Sequence, residues 1–121
     1  MKEKTVIITK ETDGVEQQVE VRVRYCAAVE TGYEQLRGKS IGSLSESMNY
    51  EDWIAIGISA IVAAYERIGE QPPVNSSDIL YTAKPAEIYD LFKAVMELRA
   101  EWYGVPGIMK EETSAEKPSK N

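Results

Sequence analysis

The sequence predicts an α+β fold, mostly α, in which an N-terminal β-hairpin packs on a bundle of three to four helices. Three observations predict it. Val19, Val21, Val23 and Tyr25 alternate with Glu20, Arg22 and Arg24, the period of a strand with one dry and one wet face. From Asn49 to Gly69 apolar residues recur at helical spacing, and no charged side chain lies between Ile54 and Tyr65. From Pro85 a second long stripe, Ile88, Leu91, Phe92, Val95, Leu98 and Trp102, marks an amphipathic helix.

In chain order, Thr5 to Lys10 is β-branched and apolar, and Glu11-Thr12-Asp13-Gly14 carries an Asp-Gly pair suited to a turn that needs positive φ. These residues pair with the strand around Val21. A two-stranded hairpin is marginal alone, so it must pack on helices or gain strands, and its edges are open to another chain. Between Cys26 and Arg37 the period changes to 3.6: Tyr25, Val29, Tyr33 and Leu36 form a stripe, Glu30, Glu34 and Arg37 face away, and Gly38 ends the helix. The compact turn that follows offers Ile41 and Leu44 to the core.

The central helix has Asn49 as N-cap, Glu51 and Asp52 against the positive end of its dipole, and Gly69 as its exit. Its stripe is Ile54, Ile58, Ile61, Val62, Tyr65 and Ile68. The off-stripe positions are small or apolar, so it calls for cover on most of its circumference, by this chain or by other copies. The uncharged run is about a dozen residues, short of the roughly 20 that cross a bilayer. Pro72 and Pro73 break the chain, Asn75, Ser76 and Ser77 offer caps to a short helix anchored by Ile79 and Leu80, and Pro85 opens the last helix with Glu87 behind it. Residues 1–109 read as a single α+β domain and 110–121 as a disordered tail, since EETSAEKPSKN has no large apolar residue.

Charge and composition narrow the function. Lys+Arg 14 against Asp+Glu 20 give a net charge of -6, which argues against nucleic acid or an anionic membrane as partner. One cysteine, Cys26, excludes an internal disulfide and suits a reducing cytoplasm, and the charged start MKEKTVIITKE does not read as a secretory signal. The absence of histidine removes the commonest general base and metal ligand. The glycines match neither a Walker loop nor a dinucleotide fingerprint. No catalytic residue, cofactor or metal is expected.

Three groups have chemistry to weigh. Glu51 and Asp52 could serve acid-base work or a hard cation, but capping accounts for them without further assumption. Cys26 opens a helix with no base nearby and reads as a small buried hydrophobe. Trp102, Tyr103, Val105, Ile108 and Met109 form an aromatic and apolar group that is the candidate partner-binding surface, with folding back onto the chain's own core as the alternative.

Tyr33-Glu34-Gln35-Leu36-Arg37-Gly38-Lys39-Ser40-Ile41 is similar to the helix-end element "Y/F-E-x-L/I-T-G-K-S/D" of the tail assembly chaperones of long-tailed bacteriophages, with Arg37 where threonine is expected. The apolar Tyr50 to Gly69 helix and the closing Pro85-Ala86-Glu87-Ile88 helix follow in the same order, so the chain resembles that family over about residues 25 to 103. The resemblance implies a non-enzymatic protein of the bacterial host cytoplasm that binds the phage tape measure protein and self-associates into homo-oligomers during tail morphogenesis, without nucleic acid or membrane. A structural tail or connector protein and a small-molecule binding protein are the alternatives.

Overall fold

A computed structural model describes residues 2–45 and 48–104 of the chain. Strands β1 (Glu3–Thr12) and β2 (Val15–Arg24) form an antiparallel hairpin. Thr12 faces Val15 across the turn, and Asp13 and Gly14 take φ of 55° and 79°, the two left-handed residues of a tight turn whose twist matches the strands. One face of the hairpin is dry: Val6, Ile8, Val21 and Val23 are buried, while the end from Glu11 to Gln18 is exposed.

Four α-helices follow: α1 (Ala27–Arg37), α2 (Tyr50–Glu66), α3 (Ser76–Tyr81) and α4 (Pro85–Trp102), with a 3-10 turn at Ile41–Ser45. Gly38 ends α1 in the left-handed conformation at φ 68°. Asn49 and Asn75 cap α2 and α3 through their side chains, each answered by an aspartate three residues on. The sheet's dry face carries α2 and α4, α1 lies on the other flank of α2, and α3 closes the end near β1. No helix among the described residues is long and apolar enough to cross a membrane.

α2 is the hub, and its small residues set the spacing. A Cβ at Gly57 would meet Leu91 Cδ2 of α4 at 2.6 Å, and one at Gly32 of α1 would meet Ser59 Oγ at 2.9 Å. The helices therefore approach where side chains are absent, and Leu91 and Val95 are wholly buried. Burying each such side chain contributes about 1.5–3 kcal/mol.

This arrangement corrects the expected face of α2. Of its large-residue stripe only Ile61 and Tyr65 are buried; Ile54, Ile58 and Ile68 are half-buried and Val62 is exposed. The core also receives Ile56 and the small Ala55, Ala60, Ala63 and Ala64, and where the neighbours come closest, at Gly57 and Ser59, only small side chains fit. Leu36 and Leu80, expected as anchors, are 57% and 53% exposed. Leu44 is buried and Ile41 packs against the core as expected.

Both hairpin edges are partly used. On β1 the Thr9 N–H donates to Glu87 Oε1 at 2.8 Å, its hydroxyl to Glu87 Oε2 at 2.7 Å, and its carbonyl accepts from Thr82 Oγ1 at 3.0 Å. On β2 the Arg22 N–H donates to the Tyr65 hydroxyl at 3.1 Å. Lys10 and Lys84 brace the exposed end through Pro73 O and Glu16.

Candidate functional site

The most polar point of the interior is Asp52, wholly buried in the first turn of α2. Its Oδ1 accepts from Arg37 Nε at 2.7 Å and from the Tyr33 hydroxyl at 3.0 Å, and its Oδ2 accepts from Lys39 Nζ at 3.1 Å and from the Asn49 N–H at 3.0 Å. Burial alone pushes this carboxyl up; the Asn49 N–H, Arg37, Lys39 and Tyr33 together outweigh it and hold Asp52 well below the usual carboxylate range. Four donors saturate the carboxylate, so it has no lone pair left for a substrate or cation. Arg37 also reaches Glu51 at 3.1 Å.

Capping, as read from the sequence, is thus one of four bonds that Asp52 accepts. The residues that carry the resemblance are parts of the same clasp: Tyr33, Arg37 and Lys39 hold Asp52, Gly38 turns the chain between them, and Glu34 Oε2 accepts the Ile41 N–H at 2.8 Å. The element ties α1 to α2, and Arg37 makes the shortest of the bonds to Asp52. Among the described residues no group of three His, Cys, Asp or Glu is placed to hold a metal ion.

A second feature among the described residues is an apolar ridge. Tyr50, Ile54, Ile58 and Val62 recur every fourth residue along one side of α2, with Tyr50 and Val62 exposed and Ile54 and Ile58 half-buried. At one end Tyr50 and Tyr89 flank Trp53, with ring centroids 5.7 and 6.1 Å away, and Trp53 stacks on Phe92 at 4.8 Å. Tyr50 and Tyr89 are about half exposed, at 49% and 51%. At the other end Ile58, Ile61 and Val62 form one wall of a cleft of about 200 Å³, closed by Pro72, Val74 and Ile79. Polar Gln71, Asn75 and Ser76 make its rim. The ridge spans roughly 18 Å, the rise of twelve helical residues.

The aromatic ledge was not singled out in the sequence. Its signal was the Tyr50–Trp53 and Tyr89–Phe92 spacing, one helical turn on each of two neighbouring helices. Among the residues that were singled out, Trp102 packs edge-on to Tyr25 at 5.5 Å and against Tyr103 at 5.1 Å. The Tyr103 and Tyr25 hydroxyls both donate to Glu30, and Arg99 bonds Tyr25 and lies 5.0 Å over the Tyr103 ring. Burial, then the Glu30 carboxylate, pushes the Tyr25 hydroxyl far above its usual value. These contacts pin the end of α4 to α1, while Trp102 and Tyr103 keep 38% and 45% of their surface. Glu30 and Glu34 therefore do not simply face away. Val105, Ile108 and Met109, like the expected tail, lie outside the described residues. Cys26 is half-buried at the start of α1.

Comparison with protein-family models, curated proteins and solved structures found no match to this chain.

Proposed function

We propose that the chain is a non-enzymatic assembly protein that holds an apolar helical segment of a larger partner and associates with its own copies, as the phage tail assembly chaperones it resembles do with the tape measure protein. The observation that carries this reading is the part-exposed apolar ridge from Tyr89 and Tyr50 to Val62 with the cleft at its end. A helix-in-groove partner inserts side chains spaced three, four and seven residues apart into such a surface, and exposed apolar patches of this kind mark interaction sites. The reading is also supported by the saturation of Asp52, which leaves the buried polar cluster around it with a structural task. Net negative charge keeps such an assembly soluble in the host cytoplasm.

Co-expression with the tape measure product tests the reading. Retention of that helical protein by the tagged chain, lost on Val62→Asp, is the expected result; a chain that never retains it would sink the proposal. Finished particles should lack the chain, whereas its presence there would point to a permanent tail or connector component.

A further inference from the structure

A groove of about 500 Å³ runs between β1 and α4, lined on the strand side by Thr5 and Ile7 and on the helix side by Asp90, Lys93 and Glu97. It lies along the free part of the β1 edge. Thr9 and Arg22, which faces Thr5, turn their N–H groups outward to Glu87 and Tyr65. In an antiparallel ladder alternate residues share that direction, so Glu3, Thr5 and Ile7 also present their N–H and C=O groups outward. Thr9 is occupied, which limits the open edge to Glu3–Ile7. Ile7 is 41% exposed there.

We propose that this edge is the contact between two copies of the chain, with β1 running antiparallel to β1 of the second copy. The inference rests on the self-association proposed above and gives it a surface. One register engages all the free groups: Thr5 opposite Thr5 of the second copy, and Glu3 opposite its Ile7, on a two-fold axis. Shifting by one step toward the turn sets Glu3 against Thr9, which is already bonded to Glu87 of α4 and to Thr82 just after α3.

Charge agrees with that axis. α4 runs opposite to β1, with Glu87 beside Thr9 and Glu97 beside Lys4, so Lys93 and Glu97 bracket the level of Thr5. A two-fold axis there brings Lys93, which has no ion pair among the described residues, toward Glu97 of the second copy, and the reverse. Such a patch is self-complementary. The β2 edge is poorer: pairing through its outward Glu16, Gln18 and Glu20 sets Glu16 opposite Glu20 of the second copy, two like charges.

Light scattering on the full chain over a dilution series tests the contact. Wild type is expected to form a closed dimer. Thr5→Pro removes only an outward N–H, which an edge strand tolerates, and should leave monomer with unchanged circular dichroism; Ile7→Pro should do the same. Lys93→Glu should weaken the dimer about tenfold or more, and mixing it with Glu97→Lys should give mixed dimers by native mass spectrometry. Folded Thr5→Pro and Ile7→Pro variants that both keep the wild-type mass would overturn the inference, as would an open-ended series of masses, or a dimer lost with Val62→Asp instead. A monomeric wild type that still retains the helical partner sinks this contact alone. A dimer that retains no helical partner sinks the helix-holding role alone.

Discussion

Arg37 Nε meets Asp52 Oδ1 at 2.7 Å, joining the last residue of α1 to the first turn of α2. The bond forms because Gly38 reverses the chain in the left-handed conformation just after Arg37, which lets Arg37 and Lys39 approach the same carboxylate from two sides. The attraction is strong because Asp52 is wholly buried and the charge has no water to lean on.

Asp52→Ala should therefore destabilise the protein by about 3 kcal/mol, the low end for breaking a buried ion pair, because Arg37 and Lys39 remain near solvent. Asp52→Asn keeps an acceptor for the Asn49 N–H and should lose less. Urea unfolding followed by tryptophan fluorescence measures both. Equal losses would show that the charge, not the cap, dominates.

Stability should fall toward acid. Asp52 is held well below the ordinary carboxylate range for the reasons given above, and Glu87 is also lowered: burial raises it, but the Lys84 N–H and the Thr9 hydroxyl and N–H outweigh that. A carboxylate whose folded value lies below its unfolded one contributes fully above the unfolded value and loses that contribution as pH falls through the folded value. The midpoint in urea should be level above about pH 5 and drop steadily below it. Combining Asp52→Asn with Glu87→Gln should flatten the slope.

Gly57→Ala should cost about 1–3 kcal/mol, since its Cβ would sit 2.6 Å from a buried Leu91 methyl. Adding Leu91→Ala makes room for that Cβ, so the double variant should be more stable than the sum of the two single losses. A strictly additive pair would place the strain elsewhere.

Val62→Asp should leave the melting temperature within a few degrees of wild type, because Val62 is 38% exposed. It should weaken retention of the helical partner by about tenfold or more, or 1.4 kcal/mol. Trp53 stacks on Phe92 beneath two half-exposed tyrosines, so partner binding should also shift its fluorescence. A binding loss that tracks with unfolding would remove the ridge from the site.

Much of this fold was legible in the sequence, and the failures share a cause. The Asp13-Gly14 turn, the Gly38 stop and the Asn49 cap depend on local backbone chemistry, which neighbouring residues report directly. Which face of α2 enters the core depends instead on three neighbours from distant parts of the chain. Size misled there: Val62 of the large-residue stripe is exposed and Ile54, Ile58 and Ile68 are only half-buried, while Gly57, Ala60 and Ala64 marked the packed side. For the same reason the sequence showed Asp52 as a cap but not as the ligand of Arg37, Lys39 and Tyr33, whose approach requires the intervening turn. The ridge was visible as apolar residues, yet only the fold shows that, among the described residues, Tyr50 and Val62 stay exposed and Ile54 and Ile58 are only half covered.

The bonds between Thr9 and Glu87 join residues 78 apart in sequence, whereas those of Asp52 with Tyr33, Arg37 and Lys39 span 19, 15 and 13. Closing a long loop costs more entropy than closing a short one, so refolding should assemble the hairpin and the α1–α2 corner early and seat α4 across β1 last. A nascent chain would then show a bare strand edge and the greasy side of α2 until synthesis of its final helix is complete.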